Sequence, residues 1–177
     1  LDIWLTEYKK PELRPTTWDS YEVMVRVHLK PAIGGLKLKD LRSEHLQHLY
    51  NEKTKGGLSA TTVRYIHAVV HAALKQAVKN GLVVRNVAEA TTLPRQVKKE
   101  IHPLTLEQVQ QLFQTIEHDR LFPAIYLELA TGLRRGELLG LRWQDVDLKT
   151  GTLTVKQGIV RIRNHDTQEG ERKTQLV

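Results

Sequence analysis

Apolar residues recur at helical spacing through the first half of the chain and give way to β-branched stretches near its end. Ile3, Trp4 and Tyr8 fit one face of a short opening helix, which Pro11 and Pro15 break. Thr16 or Thr17 is placed to cap a second helix, whose stripe is Trp18, Tyr21, Val25 and His28 and which Pro31, Gly34 and Gly35 end. Ser43 is placed to cap a third helix carrying Leu46, Leu49 and Tyr50, closed by Gly56 and Gly57. The fourth helix is the clearest. Ser59 is its N-cap and Gly81 its stop, and Val63, Ile66, Val70, Leu74 and Ala77 form one apolar face. Arg64, His71 and Lys75 fall on another face, with His67 close by.

The second half opens on Thr105-Leu-Glu-Gln108, a capping box in which Thr and Gln satisfy free amides at a helix start. Val109, Leu112, Phe113 and Ile116 make its inner face. A further helix turns Phe122, Ile125, Tyr126 and Leu129 inward and ends at Gly132, and a short one begins near Arg134. Leu138, Leu141 and Trp143 are assigned to the core. After Asp147 the pattern predicts strands over Thr152 to Val155 and Ile159 to Ile162. Between the halves, Leu93-Pro94 leads into the polar, basic stretch Arg95 to Glu100. These features predict a helical domain over 1–94, a linker over 95–103 and a second domain over 104–177.

Composition narrows the chemistry. The 177 residues include no cysteine, which excludes disulfides, thiolate catalysis and Cys-based zinc sites. No apolar run has the length of a membrane span, and Leu1 to Lys10 is not a signal peptide. The chain starts without Met, inside a predicted helix, and reads as a piece of something longer. Its net charge of +7 is uneven. Residues 1–99 hold 17 Lys and Arg against 9 Asp and Glu, whereas residues 100–177 hold 10 against 11. A basic half joined to a neutral one suits a polyanionic partner; the plainer alternative is a basic domain with a solvated surface. His67 and His71, like His45 and His48, share a helix face, but there is no HExxH and no acidic ligand at suitable spacing. No metal is assigned to them.

The run Thr131-Gly-Leu-Arg134-Arg-Gly-Glu137-Leu-Leu-Gly-Leu-Arg-Trp143-Gln-Asp145-Val-Asp147 resembles the first catalytic-arginine motif of the tyrosine recombinases, or phage integrases. Thr16 to Tyr21, His28 to Pro31 and Gly57 to Val63 are similar to that family's helical core-binding segments, although Asn86-Val87 stands where members often have Asn-Pro. The resemblance implies a mainly α fold: a four-helix SAM-like core-binding domain, then the start of an α+β catalytic domain with a small antiparallel sheet. It implies a clamp on double-stranded DNA, with no membrane role and no cofactor. In the family a tyrosine attacks the phosphodiester and forms a 3′-phosphotyrosine link that conserves bond energy, so neither ATP nor metal is needed.

Arg134 matches the first arginine of that chemistry, as a planar, always-charged fork suited to a phosphate. The plainer alternative is a surface arginine paired with Glu137. Lys173-Thr174 fits the family's catalytic Lys-Thr pair, with the alternative that the true pair follows a longer loop. For DNA contacts the resemblance and the charged face of the fourth helix point to Thr16, Thr17, Tyr21, Ser59, Thr61, Thr62, Arg64, His71 and Lys75. Helix capping is the alternative for the hydroxyls, and core packing for Tyr21. No HxxR occurs, and the last tyrosine, Tyr126, precedes Arg134 on an apolar stripe that assigns it to the core. The expectation is therefore a fragment of a bacterial, cytoplasmic, nucleoid-associated recombinase: a monomer that binds DNA without cutting it, from a parent that is tetrameric on DNA. The rivals are a non-catalytic helical DNA-binding regulator and a helical protein-interaction module.

Overall fold

Helix starts in the first half follow local backbone chemistry more than side-chain caps. The computed structural model describes residues 1–97, 100–163 and 172–176, with the side chains of 162, 163, 172 and 173 left aside. The chain is mostly helical, with two small antiparallel sheets, and forms two compact units, Leu1–Lys98 and Lys99–Val177.

In the first unit the opening helix, Trp4–Lys9, is wound with i→i+5 hydrogen bonds, Lys10 N–H reaching Leu5 O at 3.0 Å. This winding turns Trp4 and Leu5 inward and leaves Ile3 and Tyr8 exposed, so the stripe expected from α-helical spacing is displaced. Helix α1 (Pro15–Val23) begins on Pro15, with extended Arg14 as its N-cap. Proline fits the first helical position because its φ is already helical and its missing N–H would have had no partner there. Pro15 thus starts this helix rather than breaking the previous one, and Thr16 and Thr17 lie inside its first turn rather than at its cap. A π-wound stretch, Met24–Leu29, and α2 (Lys30–Ile33) continue the same rod.

Helix α3 (Ser43–Lys55) is capped at Arg42, whose N–H donates to His45 Nδ1 at 3.2 Å; Ser43 is its first residue, not its cap. Helix α4 (Ala60–Lys79) has the predicted N-cap: Ser59 Oγ accepts from Thr62 N–H at 3.1 Å. Gly81 follows with a φ of +69°, a left-handed turn suited to glycine. Leu29, Leu46, Tyr50, Val63, Ile66, Val69 and Val70 are buried together, and each such aliphatic side chain contributes about 1.5–3 kcal/mol of burial. A short 3₁₀ turn, Val87–Ala90, packs Ala88 into this core.

The second unit opens with α5 (Leu106–Ile116), whose capping box is present as predicted: Thr105 N–H donates to Gln108 Oε1 at 2.9 Å and Gln108 N–H to Thr105 Oγ1 at 3.3 Å. Helix α6 (Phe122–Thr131) ends at left-handed Gly132, and α7 (Arg135–Gly140) follows. Strand β1 (Val146–Asp147) pairs with β2 (Thr152–Leu153), which is shorter than the predicted strand. Strand β3 (Ile159–Arg163) pairs with β4 (Arg172–Leu176), Ile159 opposite Leu176 and Ile162 opposite Lys173. Among the described residues no helix is long and apolar enough to cross a membrane.

Candidate functional site

The arginine motif is built at the start of α7. Gly132 turns the chain out of α6, Leu133 is buried, and Arg134 is the extended N-cap. Its backbone N–H donates to Glu137 Oε2 at 2.9 Å, and its Nη1 donates to Glu137 Oε1 at 2.9 Å. Glu137 thus ties down both the helix start and the guanidinium. Its carboxyl is held below the usual range, first by the Arg134 N–H and then by the Arg134 side chain. The Arg134 side chain is 86% exposed, so its remaining donors face solvent. The surface pairing with Glu137 therefore exists, and it orients the arginine without burying it.

The backbone of β3 lies directly on α7. A Cβ built on Gly136 would stand 2.8 Å from Ile159 O, and one on Gly140 would stand 3.0 Å from Gln157 O. Gln157 Nε2 also donates to Gly140 O at 2.8 Å. Lys173 is carried on β4, the partner of that strand; its side chain lies outside the described residues.

Three residues beyond α7 the motif departs from expectation. Trp143 is 86% exposed among the described residues rather than core. The short turn Trp143–Asp145 instead buries Asp145, which accepts from Arg142 Nε at 2.7 Å and Nη2 at 3.2 Å and lies 3.3 Å from Lys156 Nζ. Arg142 holds the Asp145 carboxyl below its usual range, with Lys156 assisting. Charge satisfaction of Asp145 sets this turn, and no apolar periodicity could have shown it. Leu138 and Leu141 are half-buried. Tyr126, assigned to the core, is 51% exposed and makes ring contacts with Phe113 and Phe122, centroids 5.1 and 5.9 Å apart.

The expected DNA-contact residues lie on α1 and α4 of the first unit. Thr16 is exposed and Thr17 half-buried. Tyr21 is half-buried, stacked on Trp4 at 6.0 Å and edge-on to Tyr65 at 5.9 Å. Ser59 caps α4 and its hydroxyl lies 2.9 Å from that of Thr62. Lys75 is exposed and pairs with no carboxylate among the described residues. Arg64, Thr61 and His71 are engaged by the chain's own residues 86–96. Arg64 Nε donates to Pro94 O at 3.0 Å, Thr61 Oγ1 accepts from Gln96 Nε2 at 2.9 Å, and His71 Nε2 lies 3.8 Å from Glu89 Oε1. His67, 5.6 Å from the His71 ring, lies against Tyr50 OH and Thr91 Oγ1 through Nδ1.

Two residues went unread in the sequence, and a third, Asn86, was read only as part of Asn86-Val87. Tyr65 sits one turn beyond Thr61, a spacing that could have drawn attention to it. Gln47 reaches Thr92 across 45 residues, for which no local signal exists. Asn86 is buried, its Oδ1 accepting from Ala88 N–H and its Nδ2 donating to His71 O, both at 3.1 Å. Asn86 is thus the cap of the 3₁₀ turn, and Val87 occupies that turn's first position.

Comparison with known proteins bears on the same two regions. The family model described as "Phage integrase, N-terminal SAM-like domain" matches residues 1–54, and that of the "Phage integrase family" matches residues 102–173, which hold Arg134. The chain belongs to the phage integrase family of tyrosine recombinases. This integrase-family chain is 27% identical, over its whole length, to a tyrosine recombinase XerC-like protein of Caldanaerobacter subterraneus, of which it spans 47%. It therefore covers about half the length of that curated relative. Its fold matches the Tn1549 transposon integrase, solved with a circular intermediate DNA, at a TM-score of 0.80 and 19% identity over 98% of this chain and 56% of that one. It matches a lambda integrase tetramer bound to a Holliday junction at 0.71 and 20% identity over 98% of this chain and 46% of that one.

Proposed function

We propose that this chain is the DNA-holding part of a site-specific recombinase, with the helical unit and the arginine unit gripping one duplex. The exposed, Glu137-braced fork of Arg134 carries the reading. In that role Arg134 binds the scissile phosphate while charge develops on its oxygens, where preorganised donors act most strongly. Lys173, on the hairpin seated against α7, supplies a second cation. Thr16, Thr17, Tyr21, Ser59, Thr61, Thr62 and Lys75 form the duplex face of the helical unit, joined by Arg64 and His71. Phosphate contacts of this kind position the protein without reading sequence and make binding salt-dependent.

The parent protein cuts and rejoins DNA through a tyrosine beyond these residues, as a tetramer on paired sites and in the bacterial cytoplasm. The 177 residues hold no tyrosine after Arg134, so as a separate polypeptide they bind DNA and do not cleave it, in our reading as a monomer.

Duplex binding measured across a salt series tests this. The expected result is a steep fall with salt, and an Arg134→Ala variant whose slope is smaller by about one. Full affinity in Arg134→Ala would favour a helical DNA-binding regulator instead, and salt-indifferent binding would refute both. In the full-length protein, a covalent complex on a nicked duplex should form and be lost with Arg134→Ala.

A further inference from the structure

The stretch that leads out of the helical unit is stitched to it. Asn86 and Ala88 are buried, and Leu93 packs against the core. Gln47 holds the backbone of Thr92 from both sides: its Oε1 accepts from Thr92 N–H at 2.7 Å and its Nε2 donates to Thr92 O at 3.1 Å. Arg64 Nε donates to Pro94 O, and Gln96 Nε2 donates to Thr61 Oγ1. Side chains from α3 and α4 therefore fix the backbone at two successive points, and Gln96 fixes a third in return.

We infer that residues 86–96 are a strap belonging to the helical unit, and that Gln47, Arg64 and Gln96 are positioning residues that set the length of the tether between the two units. A linker beginning at residue 95 is then replaced by one that starts after Gln96. Only nine peptide steps separate Gln96 from Thr105, the cap of α5, a reach of roughly 30 Å when extended. Counted from Asn86, the nineteen steps would reach roughly 65 Å.

The consequence rests on the reading that both units grip one duplex. For two linked binding modules, the effective concentration of the second falls at least as the −3/2 power of tether length once the span is met. With Arg64 still holding Pro94 O, loss of the Gln47 and Gln96 contacts lengthens the tether from nine to about eleven steps, which predicts about 1.3-fold weaker binding or more. Gln47 and Gln96 carry no charge, so the salt slope should not change.

The test is the double variant Gln47→Ala and Gln96→Ala in the whole chain, followed by amide hydrogen exchange and by duplex affinity over a salt series. The expected result is Thr92 exchange at least tenfold faster, affinity lower by about 1.3-fold or more, and an unchanged salt slope. Unchanged Thr92 exchange would overturn the strap. Faster exchange with full affinity would overturn its control of the tether. Weaker binding with Thr92 still protected would make the glutamines duplex contacts and equally reject the proposal. If the wild-type chain binds no duplex, the functional reading fails while the exchange result still judges the strap. Gln47→Ala alone, which removes both Thr92 contacts, serves should the double variant not fold.

Discussion

At the scale of single residues, several side chains have two candidate jobs that stability and binding can separate. Ser59 caps α4 through Thr62 N–H and is also a proposed phosphate contact. Ser59→Ala should cost about 1 kcal/mol in urea unfolding, while Ser59→Gly should cost only a few tenths, because glycine is tolerated at an N-cap. If the hydroxyl also meets DNA, Ser59→Gly keeps the stability yet loses affinity; equal affinity to wild type would leave capping as its only role. Ser59 was legible because its signal is local: a small hydroxyl residue before an apolar helix. Arg134 was legible because motif and helix start coincide. Gln47 and Asp145 were not, since each is defined by partners that come together only in the folded chain.

Among elements, the apolar face of α4 was read correctly, whereas Tyr126 and Leu129, read as inward on α6, are exposed. With the π winding of Trp4–Lys9, Leu5 joins Trp4 beneath the surface and Tyr8 is left exposed. The turn after α7 is set by Asp145 and its two cations, which leaves Trp143 outside. The seating of β3 on α7 was hidden as well, because it depends on glycines with no side chain to leave a pattern. Gly136 faces Ile159 O at a distance that admits no Cβ. Gly136→Ala should therefore destabilise the second unit by about 1–3 kcal/mol, through displacement of β3, and should lower the thermal midpoint. An unchanged midpoint would mean that the strand yields freely.

For the whole molecule, the chain divides into Leu1–Lys98 and Lys99–Val177, within the polar, basic stretch Arg95 to Glu100. Two half-buried imidazoles add a pH response. His28 is held below the ordinary histidine range mainly by burial, with Lys53 adding to it, and its Nδ1 has no hydrogen-bond partner among the described residues. His67 is also lowered mainly by burial, then by His71 and Arg64 on its own helix; Tyr50 and Thr91 face it from the neighbouring segments, and Glu89 lies against His71. A group with a depressed folded-state pKa binds protons more readily when unfolded. The stability it contributes is therefore complete at neutral pH and declines as pH falls through about 6.5 and below. Urea midpoints should drop over that window before the carboxylates titrate, and His28→Gln should flatten the drop; a flat wild-type profile there would count against neutral, half-buried imidazoles.

The placement of the tryptophans decides what light can reveal about this chain. Trp4 is buried and Trp18 half-buried in the helical unit, whereas Trp143 already stands in water on the other. Intrinsic emission will therefore shift when the helical unit melts and stay almost silent when the arginine unit does. A single fluorescence transition would report on half of the molecule while looking like the whole.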